Sequence, residues 1–311
     1  MNQKNETKHG EDRLIQCVAA DGMLRIMLID GTELVREAQR LHALSRVASA
    51  ALGRQLMMTA MMADDLKGEN DEISTIIKGN GPAGSMICTG KADLSVKGSV
   101  TDGESELPPT PEGKLDVGGY VGHAGRLSVV TDLGLKEPYV GVCNLVSGEI
   151  AVDFAQYYAA SLQRPALVYL GVRMDGADGN VRAAAGVFAE PLPGCPEDVI
   201  NSLQSKAPEI AGFSARLDGG ETPEAFLTRV FGEFDPEIVS VRVPEYRCDC
   251  TRKRVERALI AVGAAELSAM IEQDGGAEVR CRFCERTYQF KKEELEALMK
   301  AASEKHDEDE Q

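Results

Sequence analysis

The C-terminal part of the chain contains four cysteines whose spacing could bind a metal ion. Cys248 and Cys250 form a CxC pair, and Cys281 and Cys284 form a CxxC pair. Zn²⁺ prefers four tetrahedral ligands, and thiolate sulfur is one of its usual donors. Residues i and i+2 of an extended chain point to the same side, and the two residues inside CxxC let the chain turn. We therefore predict one Zn²⁺ per chain held by these four thiolates, and a purely structural zinc site is the simplest form of this prediction.

The same four thiols could also undergo redox chemistry. A disulfide between residues i and i+2 closes a very small ring, and strained disulfides are labile. Metal-held thiolates are already deprotonated and therefore nucleophilic toward oxidants. We predict that oxidation forms the disulfides Cys248–Cys250 and Cys281–Cys284, ejects the metal and removes the folding free energy that it supplied. The remaining cysteines lie alone in the sequence and are predicted to take no part: Cys17, Cys88, Cys143 and Cys195.

The composition argues against nucleic-acid and membrane partners. In 311 residues, 34 Lys plus Arg and 50 Asp plus Glu give a net charge of 34 − 50 = −16, and such a chain repels phosphate backbones and anionic lipids. The basic run beside the first cysteine pair lacks the interleaved aromatic residues of a nucleic-acid site. The apolar runs are shorter than the roughly 20 residues that span a membrane, and the amino terminus lacks the apolar core of a signal peptide. We expect a cytoplasmic protein.

The secondary-structure elements predicted ahead of the cysteine cluster indicate an α+β fold. Helices are predicted over 32–42 and 44–64, and another over 149–162. Between 72 and 148, short β-rich runs alternate with Gly, Asp and Pro, which is typical of an antiparallel sheet with tight turns. A further hairpin is predicted over 166–188. Because strands and helices do not alternate in βαβ units, the pattern predicts the α+β class.

Changes in composition divide the chain into five segments. A polar tail (1–12) precedes an α+β domain (13–192), a helical linker (193–241), a domain with the four cysteines (242–302) and an acidic tail (303–311) that we predict to be disordered. More than one domain is expected, because about 150 residues is typical of one.

The linker contains two short helical patterns, at 196–207 and 223–232, that Gly and Pro interrupt. Helices of this length are not stable alone, so their order must come from docking on a neighbour. Methionines also recur at helical spacing in 44–64. Core packing is the simpler interpretation of these methionines, and an adaptable apolar binding surface is the alternative.

Two other motifs predict no catalytic site. The GxGxxG sequence at 79–84 contains Pro82 and is followed by a β-like run, whereas a dinucleotide fingerprint needs a helix directly behind the glycines. We interpret it as a hairpin turn. His123 has no acid or nucleophile beside it in the sequence, and the chain has no P-loop, HExxH or GxSxG motif. The chain is therefore not predicted to be an enzyme.

At the cysteine motifs the sequence resembles the redox-regulated heat shock protein 33 family of chaperones. The most specific feature is CxC followed by CxxC at this spacing, with Tyr288, Phe290 and a closing helix around Leu295 behind it. The resemblance extends from about Asp12 to Ala301. Its other motifs are Ser45-Arg46 with Ala51-Leu52-Gly53-Arg54, GNGPAGSM (79–86), VGHAGRLSVVTDLG (121–134), PYVGVCNLVSGEIAVDFAQYY (138–158) and GAAEL (263–267).

The chain departs from the family pattern at three positions of the front domain. Ser161-Leu162-Gln163 stands where family members usually have Ser-Glu-Gln, and Ala185 and Glu190 replace a usual Gly and Gln. None of these departures affects the four cysteines.

The resemblance implies an ATP-independent holdase that is inactive when reduced and zinc-bound. Oxidation would release zinc, loosen a metastable linker and expose apolar surface to unfolding client proteins, and the active form would be a homodimer. We expect the client-binding surface to come from the methionine-rich helix and the second linker helix: Met57, Met58, Met61, Met62, Phe226, Leu227, Val230 and Phe231.

Two alternatives from other classes remain open on the sequence. The first is a thiol–disulfide oxidoreductase that uses Cys281 and Cys284, although CxxC in such enzymes occurs in a βαβ context. The second is a zinc-ribbon interaction module without redox switching, for which salt-dependent binding of nucleic acid would be diagnostic.

Overall fold

A computed structural model describes the backbone of residues 11–309 and the side chains of residues 11–302. The chain forms two compact units that divide between Arg247 and Cys248. In the described part of the chain the strands are β1 (Arg13–Ala19), β2 (Leu24–Asp30), β3 (Glu72–Gly79), β4 (Ser85–Lys91), β5 (Ser95–Val100), β6 (Gly125–Asp132), β7 (Tyr139–Asn144), β8 (Leu167–Met174), β9 (Val181–Pro191), β10 (Glu237–Arg242), β11 (Glu245–Tyr246), β12 (Gly276–Arg280) and β13 (Thr287–Lys291).

The helices lie between and behind these strands. In chain order they are α1 (Thr32–His42), α2 (Arg46–Ala63), α3 (Val117–Val121), α4 (Ala151–Ala160), α5 (Glu197–Ser205), α6 (Ala207–Ile210), α7 (Phe213–Asp218), α8 (Pro223–Phe231), α9 (Arg252–Val262), α10 (Ala264–Asp274) and α11 (Lys292–Asp309). No helix of the described residues is both long and apolar enough to cross a membrane.

The first unit contains a five-stranded antiparallel sheet that is covered on both faces. Its strand order is β10-β1-β2-β9-β8. Met27 and Ile29 of the central strand β2 pack into one apolar core with helix α2. The alternate residues Ile26 and Leu28 pack into a second core with the linker helices. Burial on both faces explains why β2 is almost continuously apolar, since side chains alternate between the faces of a strand.

A six-stranded sheet forms the other half of the first unit, with the order β11-β5-β4-β3-β6-β7. The GxGxxG sequence forms the turn of the β3–β4 hairpin, as predicted, and packs against the C-terminal end of α3. A Cβ atom on Gly79 would lie 1.8 Å from the carbonyl oxygen of Val121, and one on Gly81 would lie 2.4 Å from that of Tyr120. The glycines are therefore required by close backbone packing rather than by a nucleotide.

The long helix α2 packs among these strands and is buried along nearly its whole length. Ser45 caps it by accepting a hydrogen bond from the Ala48 amide at 3.2 Å. A Cβ on Gly53 would contact Val172 of β8, and one on Gly98 of β5 would contact Leu52 and Leu56 of α2. The helix thus joins the two sheets into one unit. The predicted α+β class is confirmed.

The linker packs on the five-stranded sheet as part of the first unit. Helices α5 and α8 occupy most of the two predicted helical segments, and the short helices α6 and α7 between them were not predicted. Phe213 of α7 stacks on Phe226 of α8 with ring centroids 4.1 Å apart. The segment ends in β10, which pairs with β1 at the edge of the sheet. Whether this packing is metastable stays a prediction.

The second unit is a small helical and hairpin structure. Among its described side chains, which end at residue 302, the core consists of five buried residues and their partly buried neighbours. Helix α11 continues to Asp309, so the prediction of a disordered acidic tail over 303–311 is wrong as far as that residue, and 310–311 lie outside the described residues. Of the predicted polar tail 1–12, residues 1–10 also lie outside them. Asp12 is buried and accepts hydrogen bonds from the Glu33 and Leu34 amides at the start of α1, at 2.8 and 2.7 Å.

Candidate metal centre

The structure brings the four predicted cysteines together in the second unit. Their sulfur atoms all lie within 4.8 Å of one another. The Cys248 and Cys281 sulfurs are 3.7 Å apart, and the Cys250 and Cys284 sulfurs are 3.3 Å apart. A tetrahedral ion with metal–sulfur bonds of about 2.3 Å needs sulfurs about 3.8 Å apart. This cluster can therefore hold one metal ion without a rearrangement of the chain.

The CxxC pair lies in the turn that joins β12 to β13. The Cys281 amide donates to the Arg286 carbonyl at 2.9 Å, and the Glu285 amide donates to the Cys281 carbonyl at 2.9 Å. Glu285 adopts φ +61°, a conformation that non-glycine residues adopt only rarely. The turn therefore folds both sulfurs of the pair toward the same side of the hairpin.

The CxC pair lies on an extended segment directly before helix α9. Thr251 caps that helix, and its hydroxyl accepts from the Arg254 amide at 3.3 Å. Asp249, between the two cysteines, forms an ion pair with Arg254. A helix N-terminus favours nearby negative charge, so the start of α9 favours the thiolate form of Cys250, the cysteine nearest to it.

Strand β13 contacts the CxC segment through side chains that the sequence did not assign to the site. The Tyr288 hydroxyl lies 3.2 Å from both the sulfur and the carbonyl oxygen of Cys250. The Arg252 guanidinium lies 4.2 Å from the centre of the Phe290 ring and donates to the Gln289 carbonyl at 2.9 Å. The alternation of Tyr288 and Phe290 after the CxxC pair was the only available signal, since alternate residues of a strand share a face.

Comparisons with known proteins agree with this arrangement. A family model described as "Hsp33 protein" matches residues 12–291, which is most of the chain and includes all four cysteines. The chain belongs to the Hsp33 family. The 33 kDa chaperonin of Lachnoclostridium phytofermentans is 42% identical over 288 residues, which are 93% of this chain and 98% of that protein. That of Desulforamulus reducens is 40% identical over 295 residues, which are 95% of this chain and 99% of that protein.

A solved structure extends the likeness to the fold. The crystal structure of the 33 kDa chaperonin (heat shock protein 33 homolog) from Thermotoga maritima has a TM-score of 0.85 and 32% sequence identity to this chain, and the match covers 95% of this chain and 100% of that one. The predicted resemblance to the Hsp33 chaperone family is confirmed.

Burial and hydrogen bonding make the four thiols of this Hsp33 chain unequal. Burial raises the pKa of Cys248 and of Cys284 above the ordinary thiol value. Burial also acts to raise the pKa of Cys250, but hydrogen bonds from Tyr288 and the neighbouring thiols outweigh it and the net shift is downward. All four side chains are partly exposed, so small solutes in the surrounding water can reach the cluster.

The other cysteines have the surroundings of structural residues. Cys17 and Cys88 are buried in the first unit. Burial raises the pKa of Cys17 to about 11 and that of Cys88 well above its ordinary value. Burial likewise raises the pKa of Cys143 and Cys195, which are partly exposed. Thiols with raised pKa values are poor nucleophiles at neutral pH.

The residues predicted to bind clients are all buried in this structure. The four methionines of α2 are between 0% and 6% exposed and lie in the core between the sheets. The predicted residues of α8, among them Phe226 and Phe231, are at most 3% exposed and lie in the core beneath the linker. In this conformation none of them is available to another chain, which favours core packing as the role of the methionines here.

The hairpin position of the CxxC pair bears on the oxidoreductase alternative. Cys281 follows strand β12, and Cys284 is followed by strand β13. In thioredoxin-like enzymes the motif accompanies a βαβ pattern. The surroundings of this pair are those of a metal-binding turn, and they do not favour the enzyme.

Proposed function

We propose that this chain is a redox-regulated, ATP-independent holdase of the reducing cytoplasm, where thiols are kept reduced until oxidative stress. The observation that carries the proposal is the cluster of four thiols in a unit whose core, among the side chains described up to residue 302, has five buried residues. Such a small core rarely supports a fold without a metal or cross-links. Loss of the metal would therefore unfold the unit, which makes the cysteines a switch.

The metal that we assign to the cluster is Zn²⁺, one per chain, held by Cys248, Cys250, Cys281 and Cys284. Four thiolates in tetrahedral reach form a typical structural zinc set. When bound, Zn²⁺ keeps the thiolates deprotonated and links the segment before α9 to the β12–β13 hairpin. Because Zn²⁺ has no redox chemistry of its own, oxidation must take place at sulfur.

Each cysteine pair would give up two electrons to one peroxide molecule. A thiolate attacks the peroxide O–O bond, forms a sulfenic acid and releases hydroxide. The partner thiolate then attacks that sulfur, forms the disulfide and releases a second hydroxide. We assign the pairs as Cys248–Cys250 and Cys281–Cys284, because closing a short loop costs the least entropy. A disulfide sulfur no longer has the thiolate charge that binds the metal.

The client-binding surface in this proposal is the interface beneath the linker. Helices α5 to α8 are short and owe their order to packing on the five-stranded sheet. If unfolding of the second unit loosens this segment, the apolar faces of both the linker and the sheet become exposed. A large exposed apolar patch binds unfolded chains. The same surface would allow the oxidised chain to form a homodimer.

Light scattering of a thermally unfolding client protein tests the proposal. The reduced, zinc-loaded chain should leave aggregation unchanged, whereas the peroxide-treated chain should suppress it without ATP. Equal suppression by both forms, or by neither, would contradict redox control. Turnover in an insulin-reduction assay would instead support the oxidoreductase.

A truncated chain locates the binding surface. A chain that ends at Arg247 retains strand β11 and Tyr246, whose hydroxyl donates to the Gly98 carbonyl at 2.8 Å, so the first unit keeps its internal contacts. We expect this truncated chain to suppress aggregation even in reductant. If it folds but fails while the oxidised full chain succeeds, the oxidised second unit must itself bind clients.

A further inference from the structure

Strand β13 contacts the CxC segment at two successive points on one face. Tyr288 and Phe290 are two residues apart, so their side chains project to the same side of the strand. The Tyr288 hydroxyl contacts Cys250, and the Phe290 ring supports the guanidinium of Arg252. Arg252 is also paired with Glu294 of α11 at 2.6 Å. The backbone on which Cys250 lies is thus held from outside the set of metal ligands.

The Tyr288 contact distinguishes Cys250 chemically. The hydroxyl proton can be directed to the Cys250 sulfur or to its carbonyl oxygen, both 3.2 Å away. When the sulfur is a thiolate, the hydrogen bond to it is charge-assisted and is the stronger of the two. A donated hydrogen bond withdraws electron density from the sulfur and lowers its nucleophilicity, as in other thiolates of lowered basicity.

We propose that Tyr288 is a positioning residue of the metal centre, one that orients the Cys250 thiolate toward the ion and slows its attack on peroxide. Arg252 supports this role by fixing the backbone next to Cys250 against β13. The proposal rests on the proposed metal site, but it does not depend on the chaperone activity. On this proposal, Tyr288 helps to set the rate at which peroxide oxidises the cluster.

The test compares full-length wild type with Tyr288→Phe, which removes only the hydroxyl. Loss of an outer hydrogen bond to a ligand typically weakens metal binding about 10- to 100-fold. We expect zinc affinity, measured by competition with a chromophoric chelator, to fall by about tenfold, and zinc release under a fixed peroxide concentration to accelerate several-fold. Tyr169→Phe is the matched control, because it removes a phenolic hydroxyl that is bonded to Ser214 at 2.7 Å in the other unit. This control variant should have the zinc affinity and the zinc-release rate of the wild type.

A spectroscopic measurement separates positioning from a general loss of stability. In the Co²⁺-loaded protein, the sulfur-to-cobalt charge-transfer band reports the electron density on the thiolates. Without the Tyr288 donor, this band should shift to lower energy. Arg252→Lys keeps the charge but loses the planar stacking on Phe290. It should accelerate zinc release while leaving the band in place.

The outcomes distinguish the role proposed for Tyr288 from the proposed function. Wild-type affinity, release rate and band position in Tyr288→Phe would overturn the role of Tyr288 and leave the metal site intact. Absence of metal from the wild-type protein would overturn the proposed function itself. If Tyr288→Phe does not fold, 3-fluorotyrosine placed at position 288 provides the readout, because it keeps the shape and donates more strongly. It should slow zinc release, and an unchanged rate would overturn the proposal.

Discussion

The sulfur atoms of Cys248 and Cys281 lie 3.7 Å apart although the two residues are 33 positions apart in the chain. Helices α9 and α10 and strand β12 all lie within the loop that this contact closes. A metal bound here would therefore add a cross-link to the small apolar core of the second unit.

The metal content should depend on both cysteine pairs. Freshly purified reduced protein should contain one zinc per chain, and the double variant Cys281→Ser/Cys284→Ser should contain almost none, because two ligands cannot hold the ion. Cys195→Ser, at a partly exposed cysteine outside the cluster, is the control and should keep its zinc. Elemental analysis checks the prediction. Equal zinc in the double variant and the wild type would refute it.

The pairing of the cysteines on oxidation is open to peptide mapping. The two short sulfur contacts join a thiol of one pair to a thiol of the other, so the reduced geometry also permits cross-linking between the pairs. We expect Cys248–Cys250 and Cys281–Cys284 to dominate, because loop closure costs least for near neighbours and metal loss frees the segments from one another. A dominant disulfide from the first unit into the cluster would overturn this prediction.

Zinc binding should release protons. Burial raises the pKa of Cys248 and Cys284 in the metal-free site, so these thiols are protonated at neutral pH and must ionise when the metal binds. Release of at least two protons makes the affinity fall at least about 100-fold for each unit that the pH decreases. Chelator competition between about pH 6.5 and 7.5 measures the slope. An affinity that does not change with pH would contradict the prediction.

Loosening the linker should activate the chain without an oxidant. Phe226 is fully buried and stacks on Phe213, and replacing a buried Phe by Ala costs about 3–5 kcal/mol. Short helices cannot recover this free energy by themselves. We expect reduced Phe226→Ala to suppress client aggregation and to become sensitive to proteases between residues 193 and 241.

A matched control isolates the effect of docking. Val239→Ala changes a residue of β10 that is 61% exposed, so it should behave like the wild type in both assays. If Phe226→Ala were protease-sensitive in the linker yet still inactive in reductant, the interface beneath the linker would not be the client-binding surface.

Local patterns in the sequence were sufficient to predict which four cysteines come together and where most elements lie. The CxC and CxxC spacings determine which thiols can converge, and the alternation of short strands with turn residues predicts antiparallel sheets. The role of α2 was harder to predict, because four methionines at helical spacing have the same pattern in a core as on a binding surface. Only the position of α2 against both sheets shows that they are buried.

Long-range contacts account for what the sequence could not predict. Tyr288 is 38 positions from Cys250, and nothing in the intervening sequence specifies that α9 begins beside β13. Asp12 belongs to a polar stretch, yet it caps α1 more than 20 residues away. The helical continuation to Asp309 was missed because a run of acids predicts disorder by composition, whereas the preceding turns of α11 already supply a nucleus for propagation.

The most direct test of the account follows zinc and client aggregation in one sample. Full-length reduced protein is titrated with peroxide at the temperature at which the client unfolds, while a chromophoric chelator reports zinc release and light scattering reports aggregation. We predict that suppression of aggregation rises with the fraction of zinc released and that reductant reverses the thiol oxidation. Full suppression while all zinc remains bound, or complete zinc release without any suppression, would contradict the claim that this cluster controls the chaperone.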